Sequence, residues 1–125
     1  MTTEKSQNNE TGKLGEDLAV DFLTRKGYQI IERNFNSGNV ELDIICRHLE
    51  DMVFVEVKAR FNAIIEPEKA VGLAKQRNMA RAAGGYMSLH KIISPVRFDI
   101  IAINFYDGKV DIAHFEDAFY PVYYK

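Results

Sequence analysis

Two alternating segments, VELDIICR (40–47) and MVFVEVKAR (52–60), constrain this chain most, because only a short polar loop around Leu49 to Asp51 separates them. Period-two alternation is the pattern of a strand, and a connection this short joins only antiparallel neighbours. In the first strand Val40, Leu42, Ile44 and Cys46 fall on one face and Glu41, Asp43, Ile45 and Arg47 on the other. In the second, Val53, Val55, Val57 and Ala59 share a face, and Phe54, Glu56, Lys58 and Arg60 share the opposite one. Register decides which side chains meet. If Arg47 pairs with Met52, Asp43 faces Glu56 and Glu41 faces Lys58; a tighter turn pairing Leu49 with Met52 sets Asp43 opposite Lys58. Both registers gather Glu41, Asp43, Glu56 and Lys58 on one face.

The remaining segments surround this hairpin. Residues 1–10 are polar and aperiodic and are expected to form a disordered tail ahead of a single domain spanning 11–125. Thr11 is a candidate N-cap for a helix carrying Leu14, Leu18 and Phe22 at helical spacing. Arg25 and Lys26 suit that helix's negative end, and Gly27 its left-handed cap. Tyr28 to Phe35 reads as a strand, and Asn34, Asn36, Ser37, Gly38 and Asn39 supply turn chemistry. Glu66-Pro67-Glu68 opens a long helix with Val71, Lys75, Met79, Ala82 and Tyr86 in one row, and Gly84-Gly85 marks a candidate kink. VRFDIIAINFY is a strand, and Asp107-Gly108 a two-residue hairpin turn into a last strand near Val110 to Phe115. The order is α-β-β-β-α-β-β, an α/β domain.

Composition narrows the setting. At 125 residues and 46% hydrophobic, the chain suffices for one core. Its single cysteine, Cys46, forms no internal disulfide, falls on an apolar strand face and suits a reducing compartment. The opening MTTEKSQNNETGK has no apolar h-region, and no apolar run approaches the ~18 residues of a bilayer span. A cytoplasmic protein without membrane association is therefore expected. The net charge is −2, yet from Lys58 to Arg97 eight basic residues meet two acidic ones, a local +6 that includes Arg60, Lys69, Lys75, Arg77 and Arg81. That asymmetry suits either phosphate binding or a solvated helix face.

Opposed strand residues have Cβ atoms about 4.5–5.5 Å apart, and like charges placed there repel. A divalent cation relieves such a pair, and Mg²⁺ takes one or two carboxylates while keeping waters that a substrate phosphate can replace. Asp43 and Glu56 are thus candidate ligands of Mg²⁺, with Mn²⁺ as substitute, and Lys58 can neutralise charge developing on a phosphoryl group. The competing reading is a solvent-facing sheet decorated with ion pairs. Ile45 and Phe54 share those faces, however, which implies that something covers them. His48, His90 and His114 lack the spacing of a zinc site. Arg97 and Asp99, on one face of their strand, read as a structural ion pair.

Asp43 followed after twelve residues by Glu56-Val57-Lys58 resembles the D…(D/E)xK signature of the restriction-endonuclease-like superfamily. More narrowly, GKLGEDLAVDFLTRKGYQIIERNF, VELDII, VFVEVKAR and VRFDIIAI resemble, in order and spacing, the YraN family of endonuclease-like proteins over residues 12 to about 105. The resemblance implies a restriction-endonuclease-like core with a mixed central sheet flanked by helices, a Mg²⁺-dependent nuclease site, and kinship with Holliday-junction resolvases. Asp43 and Glu56 match the metal-binding acids, Lys58 the motif lysine, Glu16 a helix glutamate that completes the site, and Glu41 a glutamate of the GEIDLI-like block. Val40 stands where that block usually carries glycine.

The function expected is hydrolysis of phosphodiesters in structured or branched DNA, with Asp43, Glu56 and Lys58 catalytic and Asp43, Glu56 and Glu16 on the metal. Glu41 and Lys75 are supporting candidates, Lys75 either reaching the scissile phosphate or snorkelling from its apolar row. Arg60, Lys69, Lys75, Arg77 and Arg81 are candidates for binding nucleic acid, and family analogy suggests a homodimer. Two rivals stand beside this reading: a nucleic-acid-binding module with little catalysis, and a protein-interaction domain using the tyrosine-rich end with Tyr120, Tyr123 and Tyr124.

Overall fold

The computed structural model describes residues 4–120, with side chains described from Thr11 onward; Tyr123 and Tyr124 lie outside that range. Its elements run α1 (Glu4–Arg25), β1 (Gln29–Ser37), β2 (Val40–His48), β3 (Asp51–Phe61), α2 (Pro67–Ala70), α3 (Leu73–Leu89), β4 (Val96–Tyr106) and β5 (Lys109–Phe115). The strands form one five-stranded sheet in the order β1-β2-β3-β4-β5. It is mixed: β3 and β4 are parallel across the helical crossover, and the other pairs are antiparallel. No helix among the described residues is long and apolar enough to cross a membrane.

Helix α1 begins at Glu4, ahead of the expected Thr11, so the stretch 4–10 is helical rather than a tail. Nothing in EKSQNNE breaks a helix, and once the docked half has nucleated, each further residue adds cheaply. The other end follows expectation. Gly27 lies at φ +91°, its N–H donates to Thr24 C=O and the Tyr28 N–H to Leu23 C=O, the paired bonds of a Schellman cap. The chain thereby turns straight into β1.

The long helix expected from Pro67 is two helices. Val71 (φ −130°, ψ 109°) and Gly72 (ψ 167°) are extended between α2 and α3, because Val71 drops into the core at 2% exposure and neither residue favours helix. Gly84-Gly85 breaks nothing, since α3 runs through it with Ala82, Ala83, Tyr86 and Met87 buried around it. Packing there outweighs a glycine cost of about 1 kcal/mol each. Asp107 (φ +45°) and Gly108 (φ +70°) form the expected tight turn between β4 and β5.

Each sheet face has its own helix. Ala19 and Leu23 of α1 pack on Ile44, Cys46, Val53, Val55, Ala59, Ile101 and Ile103, and Met79, Ala82 and Tyr86 of α3 pack on Leu42, Ile45, Met52, Phe54, Phe98 and Ile100. Ile45 and Phe54 are covered, as expected. One expectation fails at β2, where Leu42 and Ile44 lie on opposite faces, so the alternation switches at Asp43. Opposite it in β1, Asn34 adopts φ +52°, and the two strands change face together. Asn is among the few residues that tolerate that conformation.

Arg97 and Asp99 form the expected ion pair inside a larger buried network. Asp99, fully buried, accepts from Arg97 Nε and Nη2 at 2.9 and 2.8 Å and from the Asp117 N–H at 2.9 Å. Lys26 Nζ sits 2.8 Å from His114 Nδ1, and a lysine only donates, so His114 Nε2–H donates to Asp99 at 2.8 Å. Arg97 also donates to the Tyr28 hydroxyl at 2.6 Å, and burial pushes that phenol up to about 12. Burial raises the Asp99 carboxyl, but the bonds from His114, Arg97 and the Asp117 N–H outweigh it and hold the group below the ordinary carboxylate range.

A carboxyl lowered in the folded state contributes stability that is complete above its unfolded value, about pH 4. The contribution is lost as pH falls through the lower folded value. Asp99→Asn should therefore lower the melting temperature at pH 7 and flatten the acid limb of the stability curve below about pH 4, read by circular dichroism. Parallel acid limbs for variant and wild type would remove Asp99 from that role.

Candidate metal centre

The β2–β3 ladder runs in the first of the two registers, His48↔Asp51 through Ile44↔Val55, and stops there. Beyond it Val40 to Leu42 pair only with β1, and Glu56 to Phe61 only with β4, so the sheet forks. The next backbone donor of β3, the Val57 N–H, is taken by the side chain of Asp43, whose Oδ2 accepts it at 2.8 Å. Asp43 thus sits in the fork itself rather than on one face.

Other acids converge on it from both sides. On the α1 side Glu16, Glu41 and Asp43 bring carboxylate oxygens within 4.8 Å of one another. Glu16 is steadied by Arg33 Nη2 at 3.2 Å and Asn34 Nδ2 at 2.8 Å. On the α3 side Glu56, 3% exposed, lies close enough for its charge to act on Asp43. Burial raises the Asp43 carboxyl, the negative charge of Glu56 raises it further, and against the pull of the Val57 N–H it stands at about 7.

The lysines belong to Glu56. Lys58 Nζ lies 3.4 Å and Lys75 Nζ 2.5 Å from the same oxygen, Glu56 Oε2. Lys75 therefore reaches into the site from the first turn of α3 rather than snorkelling away, a contact hidden in the sequence by the intervening break at Val71-Gly72. The four residues expected on one face are instead distributed around the fork: Glu41 and Asp43 meet Glu16, while Glu56 meets the lysines.

The candidate nucleic-acid residues lie in three places. Arg60 is exposed beside the fork, donates to its neighbour's carbonyl at Ala59, and lines both a cleft with Thr11 and Gly12 and a groove with Lys58, Ile64 and Lys69. Lys69 is paired with Glu66 at 2.9 Å. Arg77 and Arg81 are exposed on α3, with Arg81 donating to Asn78 at 3.2 Å.

Two positions set the geometry, Asn34, expected only as a turn residue, and Gly15, given no role of its own. Asn34 supplies both the left-handed backbone at the face switch and a hydrogen bond to Glu16. Gly15, next to Glu16, lies so close to β3 that a Cβ there would come within 2.6 Å of Ala59 Cβ. The close approach of α1 to β3 places Glu16 at the fork.

Chemically the donors are carboxylate oxygens, hard ligands converging on a partly buried point where neighbouring negative charge and burial raise the Asp43 carboxyl. That set fits a hard divalent cation.

Comparison with known proteins places the chain. The family model described as "Uncharacterised protein family UPF0102" matches residues 15–103. The chain belongs to the UPF0102 family. It is similar to the UPF0102 protein of Bacteroides thetaiotaomicron, 45% identical over 117 residues that cover 93% of this chain and 97% of the relative. A UPF0102 protein of Clostridium perfringens is 41% identical over 119 residues (92% and 98%), and that of Thermodesulfovibrio yellowstonii 44% over 112 (89% and 96%). The matched stretch, residues 15–103, contains Glu16, Glu41, Asp43, Glu56, Lys58 and Lys75.

Glu56→Gln should move the Asp43 carboxyl down from about 7 toward the ordinary range, followed by carbon NMR of that carboxyl across pH. An unmoved midpoint would leave burial and the charge of Glu16 as the causes. Gly15→Ala should cost about 1–3 kcal/mol of stability by overpacking α1 on β3, measured by denaturant titration. An unchanged stability would mean that α1 shifts freely.

Proposed function

We propose that this protein is a metal-dependent endonuclease of the restriction-endonuclease-like superfamily, acting on structured or branched DNA. The observation that carries the reading is the fork: Asp43 replaces a ladder hydrogen bond at Val57 N–H, beside a buried Glu56 that has Lys58 two residues further along the strand. The mixed sheet with a helix on each face agrees with the architecture that the sequence blocks imply.

In this reading Asp43 and Glu56 hold Mg²⁺, with Glu16 completing the set and Glu41 beside it. The ion supplies Lewis acidity and a bound water of lowered pKa. Lys58, only 21% exposed and tethered to the same strand as Glu56, places its ammonium where negative charge develops on a phosphoryl oxygen. Arg60 guides the substrate strand across the end of β3, with Lys69, Arg77 and Arg81 adding long-range attraction. Binding then weakens steeply with salt.

The Lys75–Glu56 contact favours a second reading, a binding module in which an ammonium replaces the metal. Equally pure wild-type, Asp43→Asn and Glu56→Ala proteins should be compared on linear and branched DNA with Mg²⁺. Cleavage that falls about 100-fold or more in both variants supports the nuclease. Salt-sensitive binding without cleavage in any of the three would leave the module.

A further inference from the structure

We infer that Lys75 is a displaceable counter-ion of Glu56, a latch that occupies this carboxylate until a divalent cation takes it. The inference rests on the metal-site reading above and concerns how that site is loaded.

Glu56 is an acid on a central strand, its side chain 4% exposed, and a carboxylate so buried requires cationic partners. It has two on one oxygen, and they are not equivalent. Lys58 is two residues along β3 with a side chain 21% exposed, so it is confined to the site. Lys75 is closer, at 2.5 Å, yet its side chain is 44% exposed and it approaches from another element. Its flexible four-carbon stem can carry the ammonium into solvent without moving the backbone.

The location of Lys75 favours release. It stands in the first turn of α3, whose capping residue, Gly72, offers no side-chain hydrogen bond. Unpaired N–H groups give that end a positive potential, which disfavours a cation. Glu56 is therefore the principal attraction holding the ammonium inward. On the other side of Asp43, Glu16 and Glu41 have no lysine contact of this kind among the described residues, so the two halves of the site differ. On the α1 half Arg33 pairs with Glu16 from the edge strand, whereas on the α3 half an incoming cation must exchange with a lysine ammonium.

Asp43 and Glu56 would hold a divalent ion, whose double charge near Glu56 would outcompete and repel the single charge of the Lys75 ammonium. Once released, the Lys75 ammonium would face solvent near Glu56, available to a substrate phosphate. Loading the site and freeing a phosphate-binding group then become one event.

Two measurements test this. In the first, the wild-type protein is treated briefly with an amine-acetylating reagent, with and without saturating Mn²⁺, and acetylation is read at each lysine by mass spectrometry. Lys75 should become more reactive with Mn²⁺, by about threefold or more, while Lys58 changes little. In the second, calorimetry compares Mn²⁺ binding to wild type, Lys75→Met and Glu56→Gln. Lys75→Met should bind about tenfold more tightly and Glu56→Gln more weakly than wild type.

Unchanged Lys75 reactivity in a protein that binds Mn²⁺ overturns the latch and leaves the metal site standing, as does unaltered or weaker binding by Lys75→Met. If neither wild type nor Lys75→Met binds Mn²⁺, the metal-site reading itself fails and the latch with it.

Discussion

The architecture depends on one hydrogen bond that is not part of the sheet ladder. Past Ile44↔Val55 the two central strands separate, and Asp43 Oδ2 accepts the Val57 N–H that a backbone carbonyl of β2 would otherwise take. A buried N–H without an acceptor costs about 1–3 kcal/mol, so the carboxylate keeps the fork from being a defect. It also fixes Asp43 in the plane of the sheet, within reach of groups from both faces. The convergence of α1 and α3 chemistry on one point follows from that position.

The two faces contribute differently. On the α1 side, the approach is set by the absence of a side chain: Gly15 lets the helix settle against Ala59, and Glu16 follows at the next position. Arg33 and Asn34 then hold Glu16 from the edge strand, so its charge is compensated although it points at other acids. On the α3 side the approach is set by a break, since Val71 anchors the core and Gly72 restarts the helix, which aims Lys75 at Glu56. Acids thus gather on one side of Asp43 and lysines on the other. The uneven distribution of charge in the sequence becomes an electrostatic gradient across a single fork.

Much of this was legible in residue order. The strands VELDIICR and MVFVEVKAR, the Asp107-Gly108 turn and the Gly27 cap each state a local conformation, and the structure realises them apart from the switch of face at Asp43. The register was narrowed to two by loop length, and the looser turn prevails with Leu49 in a left-handed conformation at φ +55°. What was not legible depends on distant residues acting together. The face switch at Asp43 requires a left-handed Asn34 in the neighbouring strand, and neither residue signals it alone. Asp99 finds His114 and His114 finds Lys26 across 88 residues of chain, a pairing that no local pattern encodes. The reach of Lys75 was obscured because a helix drawn unbroken from Pro67 points that row elsewhere.

A fold that holds Glu16, Glu41 and Asp43 together, with the charge of Glu56 acting on Asp43 from the α3 side, keeps like charges close that would separate in an unfolded chain. The Asp43 carboxyl, raised to about 7, reports that repulsion directly, with burial as its larger cause. Such an arrangement persists only because the rest of the domain overdetermines it: two apolar layers, one on each face, and a fully hydrogen-bonded Asp99 network within the α1-facing layer. Buried polar groups placed for stability alone are normally matched donor to acceptor, as around Asp99. Around Asp43 the matching is incomplete in charge, although every hydrogen bond is made. The contrast between the two clusters, one neutralised from within and one where acids crowd a raised Asp43 carboxyl, is the physical ground on which the proposed metal site rests.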